Sequence, residues 1–169
     1  MLSENLSHFS LSEDSIEALS QNSEADPHPI EVDHQKVDII FNNVCLLLTN
    51  LDPSRVEFLR RVVYPPKRVH RVVQAIWALA NSSVEKSKEQ CWRTAKKIIN
   101  SKTINNLLHL EPSEVDHKVI IRIVDEYLDD PTWDVDRIYQ GSYAAGVLAE
   151  WLNAFCGKVT YSAASTAAK

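Results

Sequence analysis

Apolar residues recur at three- and four-residue spacing along most of this chain, which is the pattern of amphipathic α-helices. The clearest case follows Pro65-Pro66, where the apolar positions are Val69, Val72, Val73, Ile76 and Leu79. Proline interrupts a helix interior but is tolerated at a helix start, where its missing N–H group is not needed. The pattern therefore predicts that one helix ends at Tyr64 and that a new one starts at the proline pair.

The same periodicity predicts further helices on both sides of this point. Asp33, Asp52, Ser101 and Ser113 are suitable N-cap residues for four of them, because their side chains accept hydrogen bonds from free backbone N–H groups. The predicted helices cover 33–50, Pro53 to Tyr64, Pro65 to Leu79, a segment from about Lys88, Ser101 to Leu108, Ser113 to Leu128, and 134–155, with a surface loop from Asn81 to Glu89. With only 3 Gly and no strand-like alternation, the sequence indicates an all-α protein.

Length and composition favour a single folded domain. A chain of 169 residues with 44% hydrophobic content can bury one core, which we place at 32–161. We expect residues 1–31 to be an acidic, disordered tail, or a tail with one short docking helix, and residues 162–169 to be flexible. No run approaches the roughly 20 apolar residues of a membrane span, and the N-terminus lacks a signal sequence, so we expect no membrane partner.

Motifs for catalysis, metals or cofactors are missing from the sequence. Cys45, Cys91 and Cys156 have no CxxC spacing, the six His residues have no metal-site spacing, and no GxxxxGK[ST] phosphate loop occurs. A nucleophilic Cys–His pair can also form between residues that are far apart in the sequence, so the spacing of Cys and His does not test for one. We expect a non-enzymatic protein without a cofactor, and basic residues without a recognition motif do not predict nucleic-acid binding.

Charge is strongly segregated although the net charge is only -5. Residues 41–110 carry twelve Lys and Arg against four acids, whereas residues 1–40 and 111–137 are acidic. Three bases, Lys67, Arg68 and Arg71, lie in the first turns of the helix after Pro65-Pro66, where they oppose the helix dipole. They indicate an acidic partner, and the alternative is that they only form a solvated face.

An ordered set of features spans residues 44–161. It begins with Leu51 to Val63, followed by Pro65-Pro66-Lys67-Arg68-Val69, and continues with Trp92 ahead of Lys96-Lys97. It ends with Tyr127-Leu128-Asp129-Asp130-Pro131 and with Trp151 in the final helix. In this order and spacing the features resemble the microtubule-binding domain at the tip of the dynein heavy chain stalk.

This resemblance implies a compact bundle of about six helices that docks between α- and β-tubulin. The tubulin-facing elements would be the helix after Pro65-Pro66, the helix from Val115 to Leu128, and the final helix. The expected partners are tubulin and microtubules, with dynein or other axonemal proteins, in the cytoplasm, the cytoskeleton or the ciliary axoneme. The candidate contact residues are Arg60, Arg61, Lys67, Arg68, Arg71, Lys118, Arg122 and Tyr143.

Two features depart from the family pattern. Aligned on Trp151, the positions that are typically basic in the final helix are Gln140, Tyr143, Gly146 and Asn153. Four acids, Asp125, Glu126, Asp129 and Asp130, also end the preceding helix and would repel tubulin if they faced it. Since the sequence leaves no room for a long coiled coil, we expect a stand-alone relative of the stalk tip and not a motor.

These departures leave two hypotheses open. The first is a microtubule-binding or axoneme-associated adaptor that attaches through the basic region. The second is a protein-interaction scaffold that kept the fold but lost tubulin affinity. In the second case Tyr139, Tyr143, Gly146 and Asn153 would line a less charged contact surface, although the two tyrosines could instead belong to the core.

Overall fold

The described part of the chain consists of α-helices joined by short turns. The computed structural model describes residues 29–167, with side chains from residue 34 onwards. The predicted acidic tail lies outside these residues, except for its last three positions, which belong to the first helix. The helices are α1 (Pro29–Thr49), α2 (Pro53–Arg61), α3 (Lys67–Asn81), α4 (Val84–Lys88), α5 (Trp92–Ala95), α6 (Ser101–Leu108), α7 (His117–Ile123), α8 (Val135–Gly141) and α9 (Tyr143–Ala167). No strand occurs between residues 29 and 167, so the all-α prediction is confirmed.

Helices α1 and α9 form a long antiparallel pair. His34 packs edge-on against Tyr161 at 4.9 Å between ring centroids, and Phe41 packs against Phe155 at 6.2 Å. Residue numbers therefore rise along one helix as they fall along the other. Inside the pair Trp151 stacks on Phe155 at 4.9 Å with 15° between the ring planes, and both side chains are fully buried.

Helix α3 supplies the second main part of the core. It begins at Lys67 with Pro66 as its N-cap, as the proline pair predicts, and all of its predicted apolar positions are buried. Helix α2 ends at Arg61, earlier than the predicted Tyr64. The reason is that Val62 leaves the helical conformation and its carbonyl accepts hydrogen bonds from the Trp92 indole at 2.7 Å and the Lys96 ammonium at 3.3 Å.

Several predicted boundaries are corrected by the structure. Helix α1 starts at Pro29, so Asp33 lies within it and is not its N-cap. Asn100 caps α6 in place of Ser101, accepting from the Thr103 N–H at 2.9 Å. Asp116 caps α7 in place of Ser113, which belongs instead to a separate 3₁₀ turn, Pro112–Glu114.

The predicted loop between Asn81 and Glu89 contains a short helix, α4, with two buried side chains. Val84 is part of the core, and the Ser87 hydroxyl donates to the Val84 carbonyl at 2.5 Å. Because that bond uses the only hydroxyl proton of Ser87, the Tyr127 hydroxyl at 2.5 Å must donate to Ser87. Tertiary hydrogen bonding therefore orders a segment whose local sequence is polar.

The predicted final helix is two helices, because Ser142 adopts an extended conformation between α8 and α9. Its hydroxyl accepts from the Ala145 N–H at 3.3 Å, and α9 continues to Ala167, well beyond Phe155. Gly141 and Gly146 lie close to side chains, since a Cβ atom on Gly141 would lie 2.9 Å from Val69 and one on Gly146 would lie 2.3 Å from the Tyr139 ring.

The crowding at Gly146 gives the first testable prediction. Gly146→Ala is expected to lower the free energy of unfolding by about 1–3 kcal/mol, because the Tyr139 ring cannot move away without losing the hydrogen bond from its hydroxyl to Glu150. The matched control is Gly157→Ala, whose Cβ would meet nothing within 4 Å and which should raise stability by about 0.5–1 kcal/mol. Urea denaturation of both variants measures the difference; equal stabilities would contradict the packing at Gly146.

Candidate functional site

The predicted contact residues on α2 are exposed arginines that share one carboxylate. Arg60 lies 3.0 Å and Arg61 3.3 Å from the Glu57 carboxylate, and the Arg61 side chain is 78% exposed. Such exposed pairs contribute little to stability. One carboxylate also cannot neutralise two guanidinium groups, so this part of α2 keeps a net positive charge that faces solvent.

Tyr143, at the start of α9, is covered on one side by a cation from α2. The Arg55 guanidinium carbon lies 4.3 Å from the Tyr143 ring centroid, a cation–π contact, and Tyr139 packs 5.5 Å from the same ring. An open hollow of about 560 Å³ lies beside them, with Phe58 at its edge. Since Tyr143 is 44% and Phe58 69% exposed, this is a surface cluster and not core.

At the start of α3 the three predicted bases have different environments. Lys67 is exposed and Arg68 is half-buried. Arg71 is largely engaged inside the protein, since its guanidinium donates to the Glu126 carbonyl at 2.8 Å, pairs with Asp130 at 3.0 Å and lies 5.4 Å from the Tyr127 ring centroid. With its side chain only 22% exposed, Arg71 clamps α3 to the chain segment after α7.

The acids at this clamp carry counter-charges of their own. Lys88 forms an ion pair with Glu126, and its hydrogen bond lowers the pKa of that carboxyl. The Asp130 pKa is lowered chiefly by hydrogen bonds from the Thr132 hydroxyl and backbone, with smaller contributions from Arg71 and Lys67. Two of the four acids that could repel an acidic partner are therefore paired within the chain.

Helix α7 holds the other two predicted bases. Arg122 pairs with Glu85 of α4 at 3.3 Å, so it also links two elements. Lys118 is exposed in the first turn of α7, next to the Asp116 N-cap. Helix α7 ends at Ile123 and passes into a π-helical turn, Val124–Leu128, which carries Tyr127 and Glu126 into the clamp.

The unusual residues of the final helix form one packing arrangement. The Tyr139 ring occupies the space above Gly146, and its hydroxyl donates to Glu150 at 2.9 Å, which together with burial raises the Tyr139 pKa. Further along α9, Asn153 accepts a hydrogen bond from the Trp133 indole at 3.0 Å. Of the positions where bases are expected, Gly146 and Asn153 thus make internal contacts, whereas Gln140 is exposed.

Sequence reasoning missed the part that Arg55 plays. Its helical position indicates an outward direction, but its partner Tyr143 lies far along the chain and no local pattern joins the two. The structure brings Lys67, Arg71 and Arg122 towards the acids of the clamp, and it brings Tyr143 towards α2.

The described residues carry neither a metal-binding cluster nor a membrane-spanning helix. Between residues 34 and 167 no cluster of three or more His, Cys, Asp or Glu side chains is arranged to hold a metal ion. Of the helices described, none combines the length and the hydropathy that crossing a membrane requires.

The thiols differ in chemistry: burial raises the pKa of Cys156 to about 12, whereas the Thr94 hydroxyl lowers the pKa of exposed Cys91.

Comparison with known proteins shows what this helical arrangement is related to. A family model described as the microtubule-binding stalk of dynein motor matches residues 9–159, which is most of the chain. The chain belongs to this family. The resemblance drawn from its ordered motifs is thereby confirmed.

Curated relatives agree with this assignment. The chain is 31% identical over 143 residues to a cytoplasmic dynein heavy chain of Paramecium tetraurelia, a match that covers 80% of this chain. It is 32% identical over 104 residues, 61% of this chain, to a dynein heavy chain-like protein of Plasmodium falciparum. It is 26% identical over 107 residues, 62% of this chain, to a ciliary dynein beta chain of Tripneustes gratilla. The matches span 3%, 2% and 2% of these relatives, so the chain corresponds to a small part of each.

The Arg71 clamp predicts a specific loss of stability. Arg71→Ala should lower the free energy of unfolding by about 1–3 kcal/mol, because it removes the guanidinium hydrogen bond to the Glu126 carbonyl and the ion pair with Asp130, which then keeps only its bonds from Thr132. Arg61→Ala is the control, and its effect should stay within about 0.5 kcal/mol because that side chain is exposed. Equal losses in the two variants by urea denaturation would show that Arg71 is not a clamp.

The clamp also predicts how stability depends on pH. The pKa values of Glu126 and Asp130 are depressed in the folded state, so unfolding takes up protons, and stability should fall as pH drops below about 4. Urea denaturation between pH 7 and pH 3 should show a shallower decline in a Glu126→Gln/Asp130→Asn double variant. Asp125→Asn/Asp136→Asn removes the same charge outside the clamp and should leave the decline unchanged.

Proposed function

We propose that this chain is a non-enzymatic binding module that docks on the acidic surface of microtubules. The observation that carries the proposal is the family match over residues 9–159, since that family is described by its binding to microtubules. We assign the contact to the α2–α3 basic face, defined as Arg60, Arg61, Lys67 and Arg68, with Lys118 as a further exposed cation. Tubulin would be held there by charge complementarity.

The contacts within the chain favour this division of roles among the predicted bases. Arg71 and Arg122 are paired with Asp130 and Glu85, so their charge is partly neutralised before any partner arrives. Arg60 and Arg61 share one carboxylate, and Lys67 is exposed. We therefore expect Arg71 to position the basic face, and the α2–α3 basic face itself to attract the partner.

An adaptor role in the cytoskeleton follows from the same proposal. The relatives include both a cytoplasmic heavy chain and ciliary beta chains, so we propose attachment to microtubules in the cytoplasm or in the ciliary axoneme. Dynein and other axonemal proteins are the further partners that this location would offer.

A second candidate function has its own structural support. The exposed cluster of Arg55, Phe58 and Tyr143 replaces the basic character expected at the start of the final helix. Aromatic and arginine side chains are the favoured anchors of protein interfaces. If this cluster is the main contact, the chain would be a scaffold that binds another cytoskeletal protein and not tubulin.

Microtubule cosedimentation separates the two functions. We expect the full chain to pellet with microtubules at low salt and to lose affinity steeply as salt rises, because exposed charges attract an acidic surface over a Debye length of about 10 Å at 0.1 M. An Arg60→Glu/Arg61→Glu/Lys67→Glu variant should lose at least tenfold in affinity while its unfolding curve stays unchanged.

A single-site control is Lys36→Glu on α1, near the end of the bundle remote from the start of α9, and it is compared with the single reversal Lys67→Glu. It should bind as the unmodified chain does. Pelleting that survives the triple reversal would contradict the assigned face. Failure of the unmodified chain to pellet even at low salt would favour the scaffold function, and Tyr143→Ala should then weaken capture of its partner.

A further inference from the structure

A long groove lies along α9, beginning at Glu150, two turns beyond the contact of Tyr143 with Arg55. Two adjoining hollows of about 590 and 680 Å³ form it, and both are bordered by Val135, Asn153, Gly157 and Tyr161. Helix α1 provides one wall and the π-helical turn with Trp133 the other. The lining extends along α9 from Glu150 to Ala164, about 21 Å at 1.5 Å per residue.

The floor of the groove has an exposed helix backbone at its centre. A Cβ atom on Gly157 would meet nothing within 4 Å, so nothing else in the described structure fills this position. Ile40, on the α1 wall, is 56% exposed although it is a large aliphatic residue. The groove therefore presents apolar surface beside an open stretch of helix backbone, which the apolar face of another helix could contact.

The charge of the groove has one sign. Its lining includes the carboxylates of Asp129, Asp136 and Glu150 and no Lys or Arg. Glu150 accepts one hydrogen bond from Tyr139, which uses part of its acceptor capacity and leaves its negative charge in place. A ligand for this groove must therefore combine an apolar stripe with positive flanks.

We propose that this groove binds the apolar face of a basic amphipathic helix from a partner protein. A length of about 21 Å corresponds to roughly fourteen residues, or four turns, with anchors at i, i+3 or i+4, and i+7. The acidic N-terminal segment of the chain itself is a poor occupant, because residues 1–28 contain six acids and no Lys or Arg. The acidic surface of a microtubule would be repelled for the same reason, so this site is separate from the one proposed for tubulin.

A defined probe tests the proposal on the full chain. We would use a fluorescein-labelled 18-residue synthetic helix with a leucine stripe and lysine flanks, and a matched peptide with glutamate flanks. Fluorescence anisotropy should show saturable binding of the lysine peptide, at least tenfold tighter than that of the glutamate peptide. Affinity should also fall with rising salt, because the flanks face Asp129 and Asp136.

Gly157 offers a clean way to block the groove. Gly157→Leu should weaken binding of the lysine peptide at least tenfold. It should not lower the free energy of unfolding or change microtubule pelleting, because the new side chain enters open space and a helix interior favours Leu over Gly. Gly157→Ala adds only a methyl group and should retain most of the affinity. Asp129→Asn/Asp136→Asn should weaken binding severalfold and flatten its salt dependence.

Three results would overturn the inference. They are absence of saturable binding to the lysine peptide, equal binding of the two peptides, and undiminished affinity in Gly157→Leu. Sedimentation equilibrium gives a fourth: a dimer of this chain that Gly157→Leu dissociates would assign the groove to a second copy. None of these results depends on tubulin, so they are distinguishable from failure of the proposed microtubule binding.

Discussion

The need to cover α9 on almost all sides determines the arrangement of the other helices. From Ala144 to Phe155 most side chains of α9 are buried, including the large Trp151 ring, so no single neighbour can shield them. Helix α1 lies antiparallel along the length of α9, and α3 packs against its first half. Burying one large aromatic or aliphatic side chain is worth about 1.5–3 kcal/mol, so this shared core exceeds any surface interaction in energy.

Around α9, polar contacts hold the ends of the shorter helices in place. Helix α4 contributes only Val84 and Ser87 to the interior. It is held by the Tyr127 hydroxyl and by the Gln74 amide, which donates to the Lys88 carbonyl at 3.4 Å. Arg71 closes the same region by joining α3 to Glu126 and Asp130. The cations that stabilise this corner are therefore less available to a partner than their positions in the sequence indicate.

This difference shows how far the sequence predicts the molecule. The helices with long apolar periodicity and the sharp start after Pro65-Pro66 were predictable, because periodicity and proline geometry are local properties. Helix α4 was not predictable, because Ser87 is ordered by Tyr127, which lies far along the chain. The break at Ser142 was not predictable either, because Ser142 adopts its extended conformation between two segments with continuous helical periodicity. The basic region was predictable from charge counts, whereas its division into paired and exposed cations depends on contacts such as Arg71 with Asp130, far apart in the chain.

The absence of a base at position 146 of α9 follows from the packing of the Tyr139 ring against Gly146. A lysine at position 146 would place its Cβ atom 2.3 Å from the Tyr139 ring, so a base can return there only if Tyr139 leaves. Removing Tyr139 would deprive Glu150 of its hydrogen bond and Tyr143 of a ring neighbour. The Tyr143 ring, which Arg55 contacts, would then lose the packing that orients it. Positive charge on this side therefore comes from α2 instead of α9. Because α9 carries Tyr143 beside Arg55 and, two turns later, Glu150 on the groove, a basic surface and an acidic surface follow each other along the same helix.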